Sequence, residues 1–111
     1  MKGRELVVEC RNVPREICMD ESLLLETLKQ ASEIMGVRVI TSASHNCGQQ
    51  SPPGAICFVM VDMSFLYIHT FADEGLMSIR IFTCGKGNQE TGWEHVRDSL
   101  KIKDFSMRVI E

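Results

Sequence analysis

The sequence predicts an α+β fold: a two-layer α/β sandwich in which two helices cover one face of a largely antiparallel sheet. Apolar and polar residues alternate in several short segments, which is typical of half-buried strands. Two other segments carry apolar residues at helical spacing. Several connections between strands are short, and short connections favour antiparallel pairing. With 111 residues, the chain is expected to form a single domain over residues 1–111.

Six segments are predicted to be strands, which gives the element order β-α-β-β-β-β-α-β. Residues 5–10 begin the sheet, and a β-branched run at 37–41 follows the first helix. Three strands then follow in close succession and one ends the chain, at residues 55–61, 65–71, 77–83 and 105–109. The polar stretch 42–53 is interpreted as a long loop, which in so small a domain hints at function.

The two predicted helices each carry one apolar stripe. The first begins after Asp20, whose carboxylate can accept from the free amides of the first turn, and ends at Gly36. Its stripe consists of Leu24, Leu28, Ala31 and Met35. The stripe of the second helix consists of Trp93, Val96 and Leu100.

Composition argues against several classes of function. The net charge is -3, which gives no electrostatic basis for nucleic-acid binding. No apolar run approaches the roughly 20 residues of a membrane-spanning helix, and the start of the chain lacks the core of a signal peptide. The five cysteines form no Cys-x-x-Cys pair, and the three histidines show no ligand spacing, so no metal site is expected. We therefore expect a cytoplasmic protein that binds neither nucleic acid nor a membrane.

Three side chains near the later strands could carry chemistry. Ser64 precedes one strand, His69 lies within it, and Cys84 follows the next strand. A short turn joins these strands, so the start of one lies beside the end of the other, and Ser64 and Cys84 are expected to be close. Strand alternation places His69 on the opposite face from Ser64. On residue type alone, a turn serine, a core histidine and a structural cysteine are the ordinary interpretations.

A set of short segments extends over nearly the whole chain. They are Val39-Ile40-Thr41-Ser42 with His45, Ser51-Pro52-Pro53-Gly54-Ala55, Met63-Ser64, Ile68-His69-Thr70-Phe71 and Phe82-Thr83-Cys84-Gly85. This set resembles the prokaryotic S-adenosylmethionine decarboxylase proenzyme family. The resemblance implies a two-layer α/β sandwich, and a homodimer with its active sites near the subunit contact.

The resemblance also implies a two-stage chemistry. Ser64 would attack the carbonyl of Met63, and the chain would break between residues 63 and 64 into a β chain (1–63) and an α chain (64–111). Ser64 would become a pyruvoyl cofactor that decarboxylates a small-molecule substrate. His69 matches the processing histidine and Cys84 the proton donor of the second stage. S-Adenosylmethionine as substrate would place the enzyme in spermidine, and hence polyamine, biosynthesis.

Two further positions match the substrate-binding residues of the family. Phe71, which stands where the family has tryptophan, could stack on a base. Asp73 could accept hydrogen bonds from ribose hydroxyls. An aromatic residue of the family is replaced by Cys47, which removes a second surface for stacking on adenine.

Departures from the family pattern leave two alternatives open. Met63 replaces the usual glutamate, Phe65 replaces a frequent histidine, and Ile56 replaces a hydroxyl residue that assists processing. One alternative is a pyruvoyl-dependent decarboxylase of another amino acid, arginine or ornithine, with Asp62, Asp73 and Glu74 as partners for a basic side chain. The other is an unprocessed, non-catalytic paralogue that binds a ligand or a partner subunit.

Overall fold

One six-stranded antiparallel sheet organises the chain in the computed structural model, which describes residues 3–48, 52–85 and 87–111. The strands lie side by side in the order β2-β3-β4-β5-β1-β6. The predicted fold class and strand number are confirmed. The elements are β1 (Arg4–Arg11), α1 (Arg15–Cys18), α2 (Glu21–Ile34), β2 (Val39–Asn46), β3 (Ala55–Val61), β4 (Ser64–Phe71), β5 (Leu76–Thr83), α3 (Gln89–Leu100) and β6 (Asp104–Ile110).

Two elements differ from the prediction. Strand β2 continues through residues 42–46, which were expected in a loop, and pairs with β3 as far as Asn46 opposite Ala55. Its polar side chains hid the strand pattern; Ser44 donates to the Glu21 carboxylate and Asn46 to the Met19 carbonyl. The short helix α1 was missed because four residues cannot show a helical period. Residues 49–51 of the expected loop lie outside the described residues.

Both long helices have the ends that their sequences favour. The Asp20 carboxylate accepts from the Leu23 N–H at 3.1 Å and caps α2, as predicted. Gly36 follows α2 with a φ of 82°, a conformation that glycine adopts without strain. Asn88 caps α3 through the Thr91 N–H. Among the described residues, no helix has the length and hydrophobicity needed to cross a bilayer.

The two faces of the sheet have different surroundings. On one face, α2 and α3 pack over alternate strand residues, which in β4 are Ser64, Leu66, Ile68 and Thr70, all buried. The intervening residues of β4 are half-buried on the other face, where no helix lies within the described part of the chain. We call this second surface the open face; its central residues are Phe58, Phe65, Tyr67, His69, Phe71, Arg80 and Phe82.

Thr70 is a buried polar residue that connects α1 to the sheet. Its hydroxyl donates to the Cys18 carbonyl at 2.6 Å and accepts from the Ala55 N–H at 2.9 Å. Gly54 makes this approach possible, since a Cβ there would lie 2.0 Å from the Thr70 carbonyl oxygen. The hydroxyl therefore satisfies two main-chain groups of different elements at once.

We expect Thr70→Val to lower the free energy of unfolding by about 1–3 kcal/mol, because two buried main-chain groups lose this partner. Chemical denaturation measures the change. Thr27→Val is the matched control: Thr27 is also buried, but its hydroxyl donates to the Leu23 carbonyl within α2, which the helix already satisfies. Equal losses in the two variants would contradict the assigned role of Thr70.

Candidate active site

The β4–β5 hairpin brings Ser64 and Cys84 together, as their spacing predicted. Phe65 lies opposite Phe82 in this pair of strands, so the start of β4 meets the end of β5. The Cys84 main-chain N–H donates to Ser64 Oγ at 3.2 Å. Ser64 is 9% exposed, and Cys84 is half-buried. The hydroxyl is thus held in one direction at the end of the sheet.

Met63, directly before Ser64, has a left-handed backbone with a φ of 59°. It is the second residue of the two-residue turn between β3 and β4, since Val61 lies opposite Ser64. Met63 as a whole is 64% exposed, so packing does not explain this conformation. For a residue with a Cβ, the conformation costs about 1–2 kcal/mol. The turn therefore stores strain next to the bond between residues 63 and 64.

A cavity of about 420 Å³ opens beside these residues. This volume lies within the range of small-molecule sites. Its charged lining residues are Arg38 and Asp62. The full lining consists of Gly36, Val37, Arg38, Asp62, Met63, Ser64, Cys84 and Gly85.

His69 lies on the open face, as strand alternation predicted. It is five positions along β4 from Ser64, a span of roughly 16 Å. Its ring stacks on Phe71 with centroids 4.4 Å apart, and its Nδ1 is hydrogen-bonded to the Tyr67 hydroxyl at 3.1 Å. Sequence reasoning missed Tyr67, although its position two residues before His69 on the same face would have identified it. Ile56 lies opposite His69 on the neighbouring strand.

Phe71 and Asp73 lie toward the other end of β4 from Ser64. Phe71 is seven residues from Ser64, roughly 23 Å along an extended strand. The Asp73 carboxylate forms an ion pair with Arg15, a partner that the sequence did not indicate because it lies on α1. Within one chain, the structure therefore brings together Met63, Ser64 and Cys84, and separately His69 and Phe71, but does not join the two groups.

The cysteines fall into two classes. Burial raises the pKa of Cys10 to about 12, and that of Cys18 and Cys57 to about 11, because desolvation penalises the thiolate. Cys47 and Cys84 are only half-buried. Within residues 3–48, 52–85 and 87–111, no group of three or more His, Cys, Asp or Glu side chains is arranged to hold a metal ion.

The sequence model of the S-adenosylmethionine decarboxylase family matches residues 4–111. The chain belongs to this family. It is similar to the S-adenosylmethionine decarboxylase proenzyme of Thermotoga maritima, with 33% identity over 102 residues, 91% of this chain and 76% of that protein. The proenzyme of Synechococcus sp. strain WH7803 is 26% identical over 109 residues, 97% of this chain and 83% of that protein.

The fold agrees with this assignment. The crystal structure of the adenosylmethionine decarboxylase from Aquifex aeolicus matches with a TM-score of 0.78 at 21% identity. The match covers 98% of this chain and 88% of that one. The family resemblance drawn from the sequence motifs is therefore confirmed, and the S-adenosylmethionine decarboxylases are carboxy-lyases.

In this decarboxylase-family protein, we expect iodoacetamide at pH 8 to modify Cys47 and Cys84 and to spare Cys10, Cys18 and Cys57. At pH 8 the three buried thiols stay protonated, since their pKa values lie well above that pH, and burial also blocks access. Peptide mass spectrometry gives the result, and the protein unfolded in guanidinium, where all five cysteines react, is the control. Labelling of Cys57 at the rate of Cys84 in the folded protein would show that this classification is wrong.

Proposed function

We propose that this chain is a pyruvoyl-dependent S-adenosylmethionine decarboxylase that makes its cofactor by cleaving itself between Met63 and Ser64. The hydrogen bond from the Cys84 N–H to Ser64 Oγ carries this proposal, because it holds a hydroxyl oxygen next to a residue with a strained, left-handed backbone. Membership of a family whose relatives are named proenzymes supports it.

The proposed cleavage uses groups that the structure places together. Ser64 Oγ attacks the Met63 carbonyl carbon, and the peptide C–N bond gives way to an ester while the Ser64 nitrogen becomes an amine. Removal of the Ser64 α-proton by a base then breaks the Cβ–Oγ bond, and Met63 leaves as a carboxylate with both oxygens. Tautomerisation, addition of water and loss of ammonia convert residue 64 to pyruvoyl. The Cys84 N–H can stabilise the negative charge that grows on Oγ as it leaves.

The surroundings of Ser64 fit a pyruvoyl group. The cavity beside it has room for a small molecule, and Cys84 lines the same cavity. A pyruvoyl group supplies a ketone that condenses with a substrate amine and accepts the electron pair left as carbon dioxide departs. We propose that the Cys84 thiol returns a proton to the substrate carbon, since Cys84 lines the cavity in which the substrate would bind.

The named relatives favour this function over the two alternatives. The relatives described above are S-adenosylmethionine decarboxylase proenzymes, which points to S-adenosylmethionine as substrate and to a chain that is processed. Ile56 lies opposite His69 on the open face, so its missing hydroxyl is a change in the surroundings of His69. We therefore propose S-adenosylmethionine as the substrate, and spermidine biosynthesis in the cytoplasm as the pathway and location.

We further propose that the enzyme is a homodimer joined through the open face. This face carries a stacked row of Phe58, Phe65 and Phe82, with ring centroids 5.6 Å and 5.5 Å apart. It also carries charges of both signs, such as the ion pair between Arg80 and Glu5, in which Nη1 lies 3.7 Å from Oε2. An aromatic surface with balanced charge suits a second copy of itself, since a two-fold interface must be self-complementary.

The proposed dimer would bring together the two groups of candidate residues, which are Met63, Ser64 and Cys84 in one group and His69 and Phe71 in the other. A two-fold axis across the strands would reverse the direction of the partner's β4. The partner subunit's His69 and the partner subunit's Phe71 would then lie toward the Ser64 end of this chain. In this arrangement, His69 reaches Ser64 around the end of the sheet, because the Ser64 side chain faces the helix layer. Phe71 and Asp73 bind substrate across the subunit contact.

Intact mass under denaturing conditions tests the self-cleavage. We expect two fragments divided between residues 63 and 64, the second lighter than the plain hydrolysis product by the mass of ammonia. Ser64→Ala should remain a single chain, because it has no hydroxyl to attack Met63. A wild-type protein that stays in one piece would overturn the proposed self-cleavage.

Release of labelled carbon dioxide from carboxyl-labelled substrates identifies the substrate. We expect release from S-adenosylmethionine and none above background from arginine or ornithine. Cys84→Ala should still cleave itself, because the main-chain N–H of residue 84 remains. It should lose most decarboxylation activity, because the thiol that donates the proton is absent. Release of carbon dioxide from arginine or ornithine, with none from S-adenosylmethionine, would show that the proposed substrate is wrong.

Co-expression of Ser64→Ala with His69→Ala tests the action of His69 across the dimer. We expect His69→Ala alone to remain largely uncleaved. With Ser64→Ala present, the His69→Ala chain should be cleaved, because mixed dimers place an intact His69 beside an intact Ser64. Distinct affinity tags on the two variants show by mass which chain was cut. No gain in cleavage within purified mixed dimers would contradict this arrangement.

A further inference from the structure

We infer that Arg38 binds the carboxylate that self-cleavage creates at Met63. The inference rests on the proposed self-cleavage. Arg38 would act as a positioning residue, since it would contact the cleaved chain end and not the reacting atoms of the substrate.

Cleavage changes the charge of the cavity. Before cleavage, its charged lining residues are Arg38 and Asp62, and the Met63 carbonyl belongs to a neutral peptide. After cleavage, Met63 carries a carboxylate, and the new start of the other chain carries no amine because ammonia has left. One negative charge therefore appears beside Asp62 with no new positive charge to balance it.

The strand register places Arg38 next to this charge. Val39 lies opposite Val61 in the β2–β3 pair, and the Asp62 N–H donates to the Arg38 carbonyl at 3.1 Å. Arg38 is thus the cross-strand neighbour of Asp62, one residue from Met63. Arg38 and Met63 also line the same cavity, so the new chain end forms beside the space that Arg38 borders.

The Arg38 side chain is free to take this role. It is exposed and forms no ion pair with a described residue, whereas Arg4, Arg11, Arg15 and Arg80 each do. Cleavage also releases Met63 from the turn that holds its φ at 59°, so the chain end can rotate toward Arg38. A guanidinium and a carboxylate can then form a charge-assisted hydrogen bond.

The pairing would matter for the proposed reaction. S-Adenosylmethionine carries a carboxylate and a cationic sulfonium, and an unpaired Met63 carboxylate in the same cavity would repel the first and attract the second. Binding to Arg38 neutralises that charge. Loss of Arg38 should therefore change KM more than kcat.

Titration of the Met63 carboxyl group tests the inference directly. The chain has seven methionines, and methionine labelled with ¹³C at C1 gives a titrating carboxyl signal only for one at a chain end. We expect this signal to titrate below the ordinary value of about 3.5 in the cleaved wild type. In Arg38→Gln the midpoint should rise by roughly half to one pH unit, the scale of a partly exposed pair. Arg38→Lys should retain much of the effect.

Lys103→Gln is the control, because it removes an exposed cation that does not line this cavity. The same midpoint in cleaved wild type and Arg38→Gln would overturn the role of Arg38 and leave the self-cleavage intact. A wild type with no titrating carboxyl signal and a single intact mass would overturn the self-cleavage, and the inference with it.

Discussion

The register of the β4–β5 hairpin is the constraint on which the candidate site depends. A four-residue connection, 72–75, sets Phe71 opposite Leu76, and the pairing continues along both strands to Phe65 opposite Phe82. Because of this register, the start of β4 meets the residue after β5. A slip of one residue would move Ser64 to the other face and remove its hydrogen bond to the Cys84 N–H. The turn at residues 72–75 therefore fixes the relative position of Ser64 and Cys84, although both lie at the opposite end of the two strands.

Alternate residues of each strand face opposite sides of the sheet and have different roles. In β4, one set of alternate side chains packs under α2 and α3, and the other set forms the open face. Ser64 belongs to the first set, although it lies at the edge of the core where a cavity reaches it. His69 and Phe71 belong to the second set. Their separation from Ser64 makes a single subunit an incomplete arrangement for the proposed chemistry and favours a second copy on the open face.

Much of this organisation could be predicted from the sequence. Alternation identified the central strands because their buried residues are strongly apolar, and the Asp20 and Gly36 signals marked the ends of α2 correctly. The same alternation placed His69 opposite to Ser64, and the short β4–β5 turn placed Cys84 beside Ser64. These inferences succeeded because each depends on local periodicity or on one short connection.

The remaining features depend on contacts that no local pattern records. Residues 42–46 of β2 were not recognised as strand because this is an edge strand whose polar side chains Ser44 and Asn46 donate to Glu21 and to the Met19 carbonyl. The pairing of Arg15 with Asp73 joins α1 to the β4–β5 turn, and only the folded chain brings them together. The left-handed φ of Met63 could not be predicted either, since methionine has no preference for that conformation.

The open face can accept substitutions without a change in the helix-covered core. Ile56, Phe65 and Phe71, three positions that the sequence resemblance predicts to depart from the family pattern, all lie on it, and none contributes to the helix-covered core. Substitutions there spare the helix-covered core, while they alter the surface proposed to meet a partner or a substrate. Natural selection can therefore act on specificity in this protein separately from its ability to fold.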